Sequence, residues 1–314
     1  MPHAIEYDAF GDPEVLEFRE IERETPGAGQ VLVEVRAVGV NPIDWKIRSG
    51  RRASGAITAP RRIGSDAAGV VIAVGDGVGD WVIGDEVIVS GAKGAYATEV
   101  LAPAAKLARK PAALGWETAA ALPIPVATAH QVLTSLGVSE GDTFLLHGGS
   151  GAVGQAAIQL ARRLGATIIA TASEPNHARV RELGAIPISY GPGLADRVRA
   201  VAPNGVDVAL DGAGTDEAIE VSKQLVADPD RIGTIVLGAR AAELGIRAWS
   251  GGNPIPLTPE EQQLRIDAVP LAADLAANGE FDVEIAARYP LAEAADAHRQ
   301  SEAGELRGKI ILVP

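Results

Sequence analysis

The sequence predicts an α/β protein in two parts, a small all-β barrel followed by a parallel sheet flanked by helices. Three observations carry this. Short β-branched runs separated by Gly-Asp turns fill the chain up to residue 117, and from Thr143 onward strands alternate with helices. Where that alternation begins, the apolar run 144–147 enters a glycine-rich turn, Gly148-Gly149-Ser150-Gly151-Ala152-Val153-Gly154. Short strands at close spacing build small barrels, whereas strand–helix alternation builds parallel sheets with right-handed crossovers.

In the β-rich part, residues 31–38 alternate partly and are rich in valine. Residues 70–74 and 86–89 are further strands, punctuated by Gly75-Asp76-Gly77, Gly79-Asp80 and Gly84-Asp85. Residues 117–122 and 127–136 read as helices, with Pro123 and Pro125 expected to break the path between them. Strands are then expected at 144–147, 167–170, 186–189, 206–210 and 234–237, and helices at 155–164 and 177–183. A last helix over 292–300 and a last strand over 308–313 suggest that the chain returns to the first domain. No internal repeat or low-complexity linker interrupts this order.

The glycines of the turn fit the dinucleotide fingerprint Gly149-x-Gly151-x-x-Gly154. On this reading Gly149 allows the tight turn, Gly151 lets a pyrophosphate approach the backbone, and Gly154 lets the helix pack closely on the strand. The helix N-terminus, with Ser150, Ala152 and Val153, then offers N–H groups to the phosphates. The alternative, a strand–turn–helix with no ligand, stays open from the glycines alone.

Composition narrows the function. The 314 residues imply about two domains. A hydrophobic fraction of 47% can bury a sizeable core, which aliphatic residues must fill because aromatics are only 4%. No apolar run approaches the roughly 18 residues of a membrane span, and no basic-then-apolar leader opens the chain, so a cytoplasmic protein without membrane contact is expected. With no cysteine at all, disulfides, thiolate zinc sites, iron–sulfur clusters and a cysteine nucleophile are excluded. A net charge of −13 argues against nucleic-acid binding but not against a local phosphate site.

Three further segments carry a family signature: Gly39-Val40-Asn41-Pro42-Ile43-Asp44, Gly64-Ser65-Asp66-Ala67-Ala68-Gly69, and Val82-Ile83-Gly84-Asp85-Glu86-Val87. With Ala119-Ala120-Ala121-Leu122-Pro123, Thr128-Ala129 and the terminal Gly308-Lys309-Ile310-Ile311-Leu312, the whole chain resembles the medium-chain dehydrogenase/reductase superfamily. Within it, the chain is most similar to the zinc-independent quinone oxidoreductase and zeta-crystallin branch. The resemblance implies a GroES-like catalytic domain at 1–117, a Rossmann domain at 118–265, and a C-terminal return to the catalytic domain at 266–314. Where zinc-dependent relatives place ligands, this chain has Asp44 and Gly64-Ser65-Asp66 with no partnering histidine, so no metal is expected.

The resemblance also implies the cofactor and the chemistry. Ser173 falls at the position that discriminates the adenosine ribose, His177 at that of a phosphate-binding lysine, and Tyr190 at that of a tyrosine over the same phosphate. NADPH is therefore expected, with Glu174 the residue that would favour NAD if it faced the ribose instead. Thr128, Leu237, Gly238 and Lys309 are expected near the nicotinamide end. The reaction implied is hydride transfer to a quinone or an α,β-unsaturated carbonyl, with Asn41 beside the reacting groups and Trp45 and Asp44 lining the acceptor pocket. Many relatives carry a tyrosine where this chain has Lys46, which becomes the candidate proton donor. Two other readings remain: an NADPH-binding sensor or crystallin-like protein with little turnover, and an enoyl-thioester reductase. The acceptor is a small molecule in either enzymatic reading. A homodimer joined through the edge at 234–237, or the segment after it, is expected by analogy.

Overall fold

The structure, a computed structural model, describes residues 1–250 and 252–314. Gly251, inside the irregular 249–256 segment, lies outside the described residues. The chain forms two compact units, Met1–Ile124 with Val269–Pro314, and Pro125–Ala268. The first holds a three-stranded and a seven-stranded sheet, the second a six-stranded one, and each unit has its own core.

The first unit is built around the strand Gln30–Val40, whose alternating valines face the interior. It pairs antiparallel with Asp66–Val74, Glu99–Pro103 and the C-terminal strand Lys309–Val313. The pairing Ile310 to Val40 and Ile311 to Gly39 sets Lys309 beside the end of the central strand. Ile310 and Leu312 share one core with Val31, Val33, Val71, Val87 and Val89. The C-terminal residues thus complete a sheet begun at the other end of the sequence. The 70–74 run is the second half of a longer strand, because the central strand offers it partners back to Asp66.

The second unit is a six-stranded parallel sheet in the order Ile186–Ile188, Thr167–Thr171, Thr143–His147, Val208–Asp211, Ile232–Thr234, Arg247–Ala248. In chain order this is 3-2-1-4-5-6, the doubly wound Rossmann arrangement. Ligands of such sheets bind outside the carboxyl ends of the strands where the order reverses. Here that is beyond His147 and Asp211, the last residues of two neighbouring strands.

Several expected boundaries move, each for a local reason. The break expected at Pro123 and Pro125 falls at Leu122, between the helices Trp116–Ala121 and Pro123–Ser135, and both prolines lie in the first turn of the second helix. The first-turn N–H groups of a helix have no intrahelical partner, so proline costs nothing there. The helix expected at 155–164 begins earlier, Ala152–Arg163, because Gly151 is its N-cap. The strand expected at 206–210 is Val208–Asp211, and that expected at 234–237 is Ile232–Thr234. Thr234 itself ends the ladder. Its buried hydroxyl donates to the Asp211 carboxylate at 2.7 Å and accepts from the Val236 and Leu237 N–H groups at 3.1 and 3.0 Å. Those amides turn inward instead of pairing with a strand. Arg247–Ala248, not the Thr234 strand, is consequently the edge of the sheet. Among the described residues no helix is long and apolar enough to cross a membrane.

Thr234→Val keeps the side-chain shape but leaves two amides and a buried carboxylate oxygen without the hydroxyl. A loss of about 1–3 kcal/mol in urea unfolding is expected; an unchanged midpoint would show that the hydroxyl does not organise this turn.

Candidate functional site

The glycine-rich turn follows the strand Thr143–His147 directly. Its left-handed residue is Gly148 (φ 85°), not Gly149, so the tight turn expected of Gly149 belongs to its neighbour. Gly149 is needed for packing: a Cβ there would lie 2.7 Å from the Ala170 Cβ of the adjacent strand. Gly154 is needed for the helix approach, since a Cβ would lie 2.2 Å from the Gly148 carbonyl oxygen. Gly151 differs from both. Its φ is −71°, a Cβ would meet nothing nearer than 3.7 Å, and the residue is exposed. Neither conformation nor internal packing demands a glycine at the N-cap of this helix, and the empty side faces outward. Ser150, Ala152 and Val153 are half-buried around it. This is the cradle a phosphate-bearing ligand would fill, and the residues present fit a dinucleotide.

At the end of the next strand, Ser173 caps a short turn, Glu174–Asn176, and its hydroxyl accepts from the Asn176 side chain at 2.9 Å. His177 Nε2 lies 3.1 Å from the Ala172 carbonyl oxygen and 3.4 Å from the Ser189 hydroxyl. The carbonyl fixes Nε2 as the protonated nitrogen in the neutral ring. Tyr190 follows Ser189 and is exposed. Ser173, His177 and Tyr190 therefore gather at the carboxyl ends of two paired strands, Thr167–Thr171 and Ile186–Ile188. Glu174 is exposed in the same turn. Arg197, which no motif signals, supports this loop by donating to the carbonyls of Ser189, Gly191 and Pro192. Among the described residues its charge has no acidic partner.

Across the sheet reversal, Asp211 is buried and its Oδ1 accepts from the Ala213 and Gly214 N–H groups at 2.9 and 2.7 Å. Gly238 is also buried: a Cβ would lie 1.8 Å from the Ser250 carbonyl oxygen and 2.6 Å from the Asn253 nitrogen. Its bare backbone is thus taken up by the protein's own loop, while Leu237 remains half-buried beside it. Thr128 is buried on the helix Pro123–Ser135.

In the first unit a set of buried polar groups surrounds Asn41, the N-cap of the helix Pro42–Arg48. Its Nδ2 donates to the Gly39 carbonyl at 3.2 Å and to the Asp66 carboxylate at 3.0 Å. Its Oδ1 accepts from the Lys309 ammonium at 2.6 Å, and that ammonium also donates to the Val40 carbonyl at 2.9 Å. Asp66 further accepts from the Ile124 N–H at 3.0 Å and the Ser65 hydroxyl at 3.1 Å. Asp44 Oδ2 accepts from the Asn41 N–H at 2.8 Å and from the Tyr96 hydroxyl at 3.0 Å. His298 Nε2 lies 3.2 Å from the same hydroxyl. As that hydroxyl donates to Asp44, the histidine donates to it, leaving Nδ1 buried without a partner. All six of Asn41, Asp44, Asp66, Tyr96, His298 and Lys309 are buried.

Burial dominates the charges of this cluster. It raises the Asp66 carboxyl and lowers the Lys309 ammonium, against their mutual attraction. It pushes Asp44 up to about 7, with the Asp66 charge adding and the Asn41 N–H opposing. It also holds His298 neutral, down to about 3, with Arg48 nearby contributing. Asp66 receives only donors and suits the carboxylate form, so the cluster is near neutral below pH 7 and negative above it.

Trp45 and Lys46 follow on the same helix. Trp45 is buried, and its ring lies under the Lys46 ammonium at 5.5 Å and the Arg51 guanidinium at 5.4 Å. Lys46 is half-buried, and burial together with Arg51 lowers its ammonium from the ordinary lysine range.

Residues 27–112 match the family model of the alcohol dehydrogenase GroES-like domain, and residues 183–312 that described as zinc-binding dehydrogenase. The quinone oxidoreductase of Pseudomonas aeruginosa is 33% identical over 100% of both chains. The chain belongs to the quinone oxidoreductase family. Within the medium-chain dehydrogenase/reductase superfamily this corresponds to the zinc-independent branch, although the second matching family model bears the zinc-binding name. The crystal structure of Escherichia coli quinone oxidoreductase complexed with NADPH superposes with a TM-score of 0.85 at 27% identity, covering 99% of this chain and 100% of that one. The phthioceranic/hydroxyphthioceranic acid synthase of Mycobacterium tuberculosis is 35% identical over 96% of this chain, which spans only 15% of the synthase. Among the described residues no group of three or more His, Cys, Asp or Glu is placed to hold a metal ion.

The raised Asp44 carboxyl has a defined sign. The folded protein holds a proton on it that the unfolded chain releases near pH 4, so its contribution is present at low pH and is lost as pH rises to about 7. Asp44→Asn, which keeps the acceptor oxygen, is expected to equal the wild type at pH 4 and to be more stable at pH 8, by on the order of a few kcal/mol. Chemical denaturation at the two pH values measures this; equal differences at both would mean that Asp44 is ionised throughout.

Proposed function

We propose that this protein is an NADPH-dependent, metal-independent oxidoreductase that delivers a hydride to a quinone or an α,β-unsaturated carbonyl. The observation that carries the reading is Gly151, a glycine that nothing inside the protein requires, at a helix N-terminus beyond the strand where the sheet order reverses. The reduced nicotinamide supplies the hydride. The glycine turn, with Ser150, Ala152 and Val153, would hold the pyrophosphate through backbone N–H groups. Ser173, His177 and Tyr190 would hold the 2′-phosphate: Ser173 offers a hydroxyl where a carboxylate would repel it, and protonation of His177 at Nδ1 would add a charged donor. Thr128, Leu237 and Gly238 belong to the nicotinamide end in this reading.

On the acceptor side, the candidate proton donor is Lys46, which is cationic and half-buried, and its lowered ammonium makes proton release easier. Trp45 supplies an apolar wall. Asn41 and Lys309 act differently, because their polar atoms are already bonded to each other, to Asp66 and to backbone. They are positioning residues that fix the helix bearing Trp45 and Lys46. The donor set also supports a metal-free site: the chain has no cysteine, and Asp44 and Asp66 accept from protein donors instead of converging with a histidine on one point. The similarity to the synthase favours thioester-linked enoyl groups as a second acceptor class. A cytoplasmic homodimer joined through the edge strand Arg247–Ala248 completes the proposal.

NADPH oxidation with 1,2-naphthoquinone, an alkenal and a crotonyl thioester tests the reaction: turnover of at least one is expected, and tight NADPH binding with none turned over would leave the sensor reading. Gly151→Ala is expected to raise the NADPH dissociation constant at least tenfold with no change in unfolding, whereas Gly154→Ala should destabilise the second unit itself. Ser173→Asp should cut the preference for NADPH over NADH at least tenfold, as read by fluorescence titration of both. Unchanged constants would place the ribose elsewhere.

A further inference from the structure

In a chain of net charge −13, the interval between Asp44 and Asp66 holds six cations (Lys46, Arg48, Arg51, Arg52, Arg61 and Arg62) and no acidic residue. Three of them are spent locally. Arg48 is fully buried and paired with Glu302 at 2.7 Å, Arg62 pairs with Glu24 and Glu6, and Arg61 donates to the Ser54 and Ala56 carbonyls. Lys46, Arg51 and Arg52 have no acidic partner among the described residues, and they are brought together by the backbone. The helix Pro42–Arg48 ends in the left-handed Gly50 (φ 77°), and the chain folds back so that the Arg52 N–H donates to the Lys46 carbonyl at 2.7 Å. Arg51 and Lys46 then both lie against the Trp45 ring.

A helix C-terminus favours nearby cations, which accounts for charge in this turn. It does not account for an ammonium held half-buried next to a guanidinium, where desolvation and like charge act in the same unfavourable direction. An independent feature lies at the same spot: the Trp45 indole N–H is buried without an acceptor, in a residue only 9% exposed. Two guanidinium groups beside an unpaired indole N–H, with no acidic partner among the described residues, fit an anion. The flat guanidinium forks suit a phosphate, which can take bidentate hydrogen bonds from them.

We propose that Arg51, Arg52 and the Trp45 indole form a phosphate-binding subsite for an acceptor that carries its reducible group on a phosphate-bearing arm. This rests on the reductase reading and narrows its acceptor to thioesters of the phosphopantetheine type over free quinones.

Calorimetric titration of the wild-type protein with 4′-phosphopantetheine and with pantetheine separates the phosphate from the rest of the arm. The phosphorylated compound is expected to bind at least tenfold more tightly, and the double variant R51A/R52A to lose that difference while its NADPH dissociation constant stays unchanged. Equal binding of the two compounds, or a difference that survives in R51A/R52A, would overturn the proposal. So would weakened NADPH binding in the variant with phosphopantetheine unaffected, since the cluster would then serve the cofactor. Inorganic phosphate binding as tightly as phosphopantetheine would reduce the subsite to a general anion site and overturn the arm. None of these readouts needs turnover, so an inactive quinone assay and a failed titration are distinguishable.

Discussion

The first unit depends on one buried amide. Asn41 stands between a lysine and an aspartate that do not touch each other, giving its oxygen to Lys309 and its NH2 to Asp66. The amide dipole is therefore aligned in the field of both charges, and each charge finds a partner without water. Three stretches far apart in sequence meet there: the central strand with its helix, the start of Asp66–Val74, and the C-terminal strand. Removing any one partner would strand a buried charge, which costs more than the pair contributes. That asymmetry makes the arrangement specify one geometry instead of merely adding stability. It also fixes where the helix Pro42–Arg48 begins, and hence where Trp45 and Lys46 stand.

The second unit poses a different constraint, on volume rather than charge. Gly149 and Gly154 are forced by neighbouring atoms of the protein, and Gly148 by its backbone conformation. Only Gly151 lacks an internal reason. A glycine motif is informative about ligands only after such internal demands are subtracted, because packing and function both select the same residue. The same subtraction works against Gly238, whose missing side chain is already explained by Ser250 and Asn253.

Much of the fold was legible in the sequence because its signals are local. The alternation of apolar strands and helices after Thr143 gives the parallel sheet, and the valines of Gln30–Val40 give the central strand of the other. Where boundaries slipped, a side chain had overridden propensity: the Thr234 hydroxyl ended a strand that the run of β-branched residues would have continued. The site was legible only in part. Asn41, Asp44 and Lys309 sit in recognisable motifs, but the sequence treated them as separate candidates with open faces. Their mutual contacts are set by the register of Ile310 on Val40, which no local pattern encodes. Tyr96 and His298, which complete the cluster, carry no motif at all.

Net charge misled in a comparable way. An overall −13 describes the average surface and discourages any search for an anionic ligand beyond the cofactor. Yet electrostatic attraction at physiological ionic strength fades over about 8 Å, so a ligand responds to the few charges within that radius. The two charges that lie against the Trp45 ring, Lys46 and Arg51, are both positive, and Glu302 is tied to Arg48. The buried cluster at the other end of the same helix has no net positive charge to offer. One short helix thus carries an internally neutralised end and an uncompensated cationic end. Only the second can change its free energy appreciably by meeting an anion.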